Sequence, residues 1–444
     1  MGLRRTARRW LPGPTNPRMR TGPQGRYFRT LTVVSVDLDT RQVTPHRQLT
    51  PPAVAPEGVH ALVWAGGAPV AELTVPGDPD DVLPRLAEVA LREVGHPGRG
   101  AAPGRPAVAL SGADVTVAVC TRDRPGDLAH TLDSIGALSA PVAEVLVIDN
   151  ASRDESTRQV VERFPFARYV REPRAGLDWA RNRALLEART RIVAYTDDDA
   201  LVHPRWVEGL LRGFTEVPGA VMVTGLVFPL ELATPAQVIF EARGFGRGYR
   251  RRLFRVDPEQ PAARQAGAMG DAGTGADMAV LREPALALGG FDPALDVGTP
   301  TGGAGDLEMF FRVVAAGHTL VYEPSAVVLH RHRTTMAALH RQRRGDGTGS
   351  YSWWLGAGRR YGPRLYAGLR RQALSWAVTH HGRNLARTLL YPELWPPGLT
   401  WAEARGAARA ATGGLYRAAL AQAADQATAH PEEPTAPPLV HPQV

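Results

Sequence analysis

The chain has 444 residues, a formal net charge of +8 and a hydrophobic share of 44%. All 52 of its basic residues are arginine, which removes any lysine-based phosphate loop. The single cysteine, Cys120, excludes an internal disulfide and a cysteine-rich zinc site, and no apolar run reaches the roughly 18 residues needed to span a bilayer. The arginine excess reads either as a coding bias or as a preference for phosphates and anionic surfaces.

Residues 1–26 carry seven Arg and four Pro with little periodicity and are expected to form a disordered basic arm. The start lacks the apolar core of a secretory signal, so a cytoplasmic protein is expected. Met1-Gly2-Leu3-Arg4-Arg5-Thr6 fits a myristoylation pattern only formally. Residues 27–95 read as a small α+β module. Tyr27–Asp37 includes a β-like run, Val59–Val75 holds two apolar runs around Gly66-Gly67, and Asp81–Val94 has apolar residues at helical spacing. Residues 96–113, rich in Pro, Gly and Ala, read as a linker.

From 114 to 335 strands and helices alternate. Strands are predicted at Val115–Cys120, Val145–Ile148, Ala167–Val170 and Arg191–Thr196. Helices are predicted at Pro125–Leu138, around Val160 to Phe164, at Leu177–Ala188 and at Pro204–Phe214. The fold class is therefore α/β, a parallel-type sheet flanked by helices, with ligands expected beyond the carboxyl ends of the strands. Three polar clusters fall there: Thr121-Arg122-Asp123, Asp149-Asn150 and Asp197-Asp198-Asp199. Residues 336–427 read as a helical region, and 428–444, rich in Pro and His, as a disordered tail.

The first strand leads into Thr121-Arg122-Asp123-Arg124-Pro125 and not into a glycine-rich turn, which argues against a dinucleotide enzyme. Three successive carboxylates at a strand end repel one another, and a hard divalent cation such as Mg²⁺ or Mn²⁺ would relieve that cost. A solvated acidic turn is the competing reading. Cys120, inside an apolar strand, is expected to be a buried thiol and not a nucleophile.

The order of these pieces resembles the family 2 glycosyltransferases of GT-A fold over residues 115–335. The resemblance rests on Val-Ala-Val-Cys-Thr-Arg-Asp-Arg-Pro (117–125), Val-Ile-Asp-Asn-Ala-Ser (147–152), Gly176 with Ala180-Arg181-Asn182, and Tyr-Thr-Asp-Asp-Asp (195–199). It continues through Gly-Thr-Gly-Ala-Asp-Met (273–278), Gly-Gly-Phe-Asp (289–292), Gly-Asp-Leu-Glu (305–308), Tyr-Glu-Pro (322–324) and Val-Leu-His-Arg-His (328–332). It implies a sugar nucleotide donor, a hydroxyl-bearing acceptor (small molecule, peptide, glycan or lipid-linked) and a divalent metal, with no nucleic-acid partner. Asp197, Asp199 and His330 would hold the metal, and Asp198, Thr121, Arg122, Asp149, Asn150, Arg181 and Asn182 would lie along the nucleotide. Asp306 would be the base of an inverting single displacement, with Glu308 and Asp296 as the nearest alternatives. A helix starting there would favour the Asp306 anion.

Gly305 stands where the family usually has Glu, Asp277 where many members have Asn, and Asn150 where several have an Asp that reads uracil. Neither the processive Gln-x-x-Arg-Trp motif nor membrane spans are evident, which implies single transfer. A non-catalytic sugar-nucleotide-binding protein and a sugar nucleotidyltransferase are the competing functions. The Arg-rich arm and Arg359–Arg387, which mixes Arg with Leu, Tyr and Trp, predict a peripheral membrane contact against the simpler reading of a solvated tail and a packed helix.

Overall fold

The alternation in Thr32-Val-Val-Ser-Val-Asp37 produces a strand, β1, that buries Val33, Val34 and Val36. In the computed structural model, which describes residues 28–95, 110–243, 247–257 and 262–441, β1 lies in a four-stranded sheet of order β2-β1-β3-β4. Its other strands are β2 (Val43–Pro45), β3 (Gly58–Ala65) and β4 (Ala68–Pro76). The predicted hairpin closes at Gly66 and Gly67, which both take positive φ as a tight turn requires. Helix α1 (Leu86–Val94) covers one face. The basic arm at 1–26 and residues 96–109 of the proposed linker lie outside the described residues.

The second sheet has nine strands. β5 (Val115–Thr121), β6 (Glu144–Asn150), β7 (Ala167–Glu172) and β8 (Ile192–Asp197) form the expected parallel half, in order β8-β5-β6-β7. The apolar runs of β5, β6 and β8 are buried on both faces, as a helix-covered parallel sheet demands, while the edge strand β7 is half-buried. Helices α2 (Pro125–Gly136), α3 (Ser156–Val161), α4 (Leu177–Glu187) and α5 (Trp206–Glu216) make the crossovers. The other half makes the sheet mixed. β12 (Asp277–Leu281) runs antiparallel between β8 and β10 (Ala220–Pro229), while β13 (Thr319–His330) is parallel to β10. The short strands β9 (Ala200–Val202) and β11 (Arg252–Phe254) pair antiparallel with β13. A strand such as β12, inserted against the local direction, carries no periodicity signal that separates it from a parallel neighbour.

The first sheet packs on the second through Phe28, Leu31, Leu62 and Trp64 against Leu226, Phe228, Leu232 and Trp395. After α6 (Pro235–Ala242) and α7 (Gly305–Ala315) the chain ends in helices α8 (Met336–Leu355), α9 (Pro363–Trp376), α10 (Gly382–Leu390), α11 (Pro397–Ala410) and α12 (Gly414–Ala429). A π-helical turn, Ala377–His381, joins α9 to α10.

The tail departs from the expectation of disorder. Arg174 donates to the Pro434 carbonyl, Arg183 pairs with Glu433, and the Val440 N–H donates to the Leu288 carbonyl. Proline-rich composition made it read as disordered, whereas its backbone groups and Glu433 find partners on the sheet domain.

Candidate active site

Strand β8 ends at Asp197, and the chain turns through Asp198 and Asp199 into β9. β9 pairs with the end of β13, where His330 lies opposite Ala200, and the Arg331 N–H donates to the Asp199 carbonyl. That pairing brings a histidine 131 positions away onto the acidic turn. His330 Nε2 is 3.2 Å from Asp199 Oδ1 and 4.0 Å from Asp197 Oδ2. One ligand atom from each of Asp197, Asp199 and His330 falls within 4.8 Å of the others.

Two arginines supply positive charge to this turn. Arg124 Nη1 donates to Asp198 Oδ1 at 3.0 Å and to Asp199 Oδ2 at 2.8 Å, and Arg333 Nη1 donates to Asp199 Oδ2 at 2.9 Å. Burial raises all three carboxyls. At Asp199 the paired His330, Arg333 and Arg124 overcome it and hold the group well below the carboxylate range. Asp198, buried and beside Asp199, is pushed up to about 7 although Arg124 and the Thr121 hydroxyl, 2.7 Å away, act the other way. Asp197 is also raised, by burial and then Asp199. Such crowding of carboxylates around one imidazole suits a hard divalent cation with carboxylate and imidazole donors.

The same cleft, of about 880 Å³, contains Arg181, Asp296 and Asp306 on its wall. Asp306 sits in the first turn of α7, where Oδ1 accepts from the Leu307 N–H at 2.8 Å and Oδ2 from the Gly275 N–H at 2.7 Å. Burial and Asp296 raise its pKa, against the pull of Arg181 and these two N–H groups. The expected stabilisation of the anion by the helix start is therefore outweighed by desolvation. Glu308, one of the two alternative acids, is buried and spent on Arg312 at 2.7 Å and the Tyr361 hydroxyl at 2.6 Å. Asp296, the other, accepts from Arg181 at 2.7 Å.

The position of Gly305 has a local cause. A Cβ there would collide with Asp178 Oδ2, which lies inside contact distance of the glycine. Asp178 is fully buried, and its other oxygen accepts from Arg181 at 2.9 Å. A carboxylate from α4 thus fills the space beside Asp306 that a side chain at 305 would enter. Gly275 is constrained in the same way, its missing Cβ leaving room for Arg181 Nη2.

Other residues assigned to the nucleotide are arranged differently. Asp149 is buried and accepts from Tyr169 and Arg171, both at 2.6 Å. Asn150 bonds the backbone with both ends of its amide, donating to the Arg174 carbonyl at 2.7 Å and accepting from the Gly176 N–H at 2.8 Å. Asn182 does the same with the carbonyl and N–H of Phe291, at 2.8 and 2.7 Å. Both asparagines hold loop backbone around the cleft, and each amide keeps a second N–H and a second oxygen lone pair beyond these bonds. Arg122, with a side chain 44% exposed, lies against Asp123 and away from the acidic turn. Asp277 is buried under α5, accepting from Trp206 Nε1 at 2.8 Å. Burial pushes the Cys120 thiol up to about 12, in keeping with an inert strand thiol.

Sequence reasoning missed Arg124, Arg333 and Asp178. The first two were legible, since Arg124 adjoins the Thr121 cluster and Arg333 follows the His-Arg-His run. Asp178 gave no signal, because its role depends on which glycine faces it.

Residues 116–268 match the family model described as Glycosyl transferase family 2. The pre-mycofactocin glycosyltransferase of Mycobacterium tuberculosis is 28% identical over 261 residues, which cover 58% of this chain and 50% of that protein. The succinoglycan biosynthesis protein ExoM of Rhizobium meliloti is 35% identical over 121 residues, covering 26% of this chain and 38% of its own. The chain thus spans half or less of the length of these relatives. A solved mannosyltransferase from Pyrobaculum calidifontis, in complex with GDP-Man and Mn2+, aligns over 73% of this chain and 90% of its own at 19% identity and a TM-score of 0.43. Residues 116–268, about a third of the chain, thus form a region that matches Glycosyl transferase family 2.

Proposed function

We propose that the chain transfers a sugar from a nucleoside diphosphate sugar to an acceptor hydroxyl, with inversion and with a divalent cation. The observation that carries this reading is that the cleft lined by Arg181 and Asp306 also reaches Asp197 and His330 of the Asp197–Asp199–His330 donor set. Asp197, Asp199 and His330 would hold the cation, which would offset the charge of the leaving diphosphate. Arg124 and Arg333, already turned to the acidic turn, offset part of its negative charge. Thr121 fixes Asp198 beside them.

Asp306 takes the acceptor's hydroxyl proton while the acceptor oxygen forms its bond to the anomeric carbon. The bond from that carbon to the diphosphate oxygen breaks, and the electron pair leaves with the nucleoside diphosphate. The Gly275 and Leu307 N–H groups hold the Asp306 carboxylate in one orientation. Arg181, paired with both Asp178 and Asp296, offsets the mutual repulsion of the acids around Asp306.

The test is the release of nucleoside diphosphate from a panel of sugar nucleotides, with Mn²⁺ and after chelation. Release by one donor that stops on chelation is expected. Release that persists undiminished after thorough chelation contradicts the metal assignment.

A further inference from the structure

The helical rod made of α9, the π-helical turn and α10 has two unlike faces. Its inner face gives Trp376, His380 and His381 to the cleft. Its outer face leaves Leu374, Val378, Leu385 and Leu389 exposed by 67, 69, 51 and 76%, with Leu390 and, on α11, Trp401 exposed beside them. Six of the eleven exposed large hydrophobic residues of the described chain thus fall between 374 and 401. A concentration of this kind on a water-facing surface marks an interaction site.

The charge around it is mostly positive, with Glu393 the one acid between residues 374 and 401. Residues 347–392 contain seven Arg and neither Asp nor Glu. Arg359, Arg360, Arg364, Arg370, Arg371 and Arg383 are exposed. A second copy of the chain would bring like charges face to face. The segment 1–26, with seven Arg and no acid, is repelled for the same reason. A nucleic acid would satisfy the arginines and leave the leucines in water. A layer of anionic headgroups over acyl chains satisfies both.

We propose that the outer face of this rod docks on an anionic bilayer, with the leucines and Val378 in the headgroup–acyl boundary and the arginines among the phosphates. Docking sets the rod, and the cleft end that it lines, at the membrane surface. The consequence that the acceptor hydroxyl belongs to a lipid-linked molecule rests on the transferase reading above; the docking itself does not.

Co-sedimentation with vesicles of phosphatidylcholine alone and of phosphatidylcholine mixed with phosphatidylglycerol tests it, with no donor or acceptor present. The full chain is expected to pellet with the mixed vesicles, to stay in solution with the neutral ones and to be released by salt. Leu389→Asp should weaken binding about tenfold or more, the worth of burying one such side chain. Its melting temperature should be unchanged, because the position is exposed. Arg370→Gln with Arg371→Gln should lose about fivefold per charge. Asp199→Ala should bind vesicles like the wild type, which separates failure of docking from failure of transfer. Sedimentation with neither vesicle, or equal binding of Leu389→Asp and wild type, overturns the proposal. So does a dimer seen by light scattering that Leu389→Asp disperses, which would give the face to a second copy.

Discussion

Asp306 and Gly305 are adjacent and make opposite demands on substitution. Asp306→Asn keeps the shape but removes the proton acceptor, and its single amide oxygen keeps only one of the two backbone bonds. Turnover should fall by about 10²–10⁴-fold with donor affinity nearly unchanged, as steady-state kinetics and a donor titration would show together. Near-normal turnover would reduce Asp306 to a residue that ties the start of α7 to Gly275. Gly305→Ala adds only one methyl, yet that methyl must displace the buried Asp178 carboxylate and with it Arg181. A destabilisation of about 1–3 kcal/mol is expected from urea unfolding, together with lost turnover, because overpacked buried sites rarely relax fully. An alanine variant as stable and active as the wild type would show that Asp178 has room to move.

At the scale of elements, the C-terminal helices are held to one another by a buried charge cluster at the far end of the cleft. Glu403 on α11 accepts from Arg343 on α8 at 2.7 Å and bonds His380 of the π-helical turn at 2.7 Å. Burial raises the Glu403 carboxyl, but Arg343, His380 and Arg243 outweigh it and hold it well below its ordinary value of 4.5. A carboxyl whose folded pKa lies below its unfolded one stabilises the fold fully above the unfolded value and loses that contribution as pH falls towards the folded one. Glu403→Gln should therefore cost about 3 kcal/mol at neutral pH, because it leaves buried guanidinium groups uncompensated. The gap to wild type should stay constant down to the ordinary carboxylate range and narrow only in stronger acid. Urea unfolding of both proteins across that range checks it, and a gap that widens in acid would contradict the assignment.

Across the whole molecule, the regular part of the fold was legible and the irregular part was not. β5, β6 and β8 follow from apolar runs because they are buried on both faces, and α2 and α5 from helical spacing because they bury one face. β12 was not legible as antiparallel, since a five-residue apolar run says nothing of direction. The docked tail was not legible either, because its partners, Arg174, Arg183 and Leu288, lie far away in sequence. In the cleft, the acidic turn and His330 were legible through their motifs, and the structure brings them together. That Asn150 and Asn182 hold loop backbone around the cleft was not legible from motif position. Of the described helices none is long and apolar enough to cross a membrane.

The account stands or falls on whether the Asp197–Asp199–His330 turn binds a sugar nucleotide through a divalent cation. Calorimetric titration of the donor that supports diphosphate release, into wild type and Asp199→Ala, with and without Mn²⁺, measures this directly. Donor binding by the wild type should need Mn²⁺ and should be lost in Asp199→Ala, while the variant remains folded by circular dichroism. Donor binding of equal strength in both proteins, whether or not Mn²⁺ is present, would contradict the account.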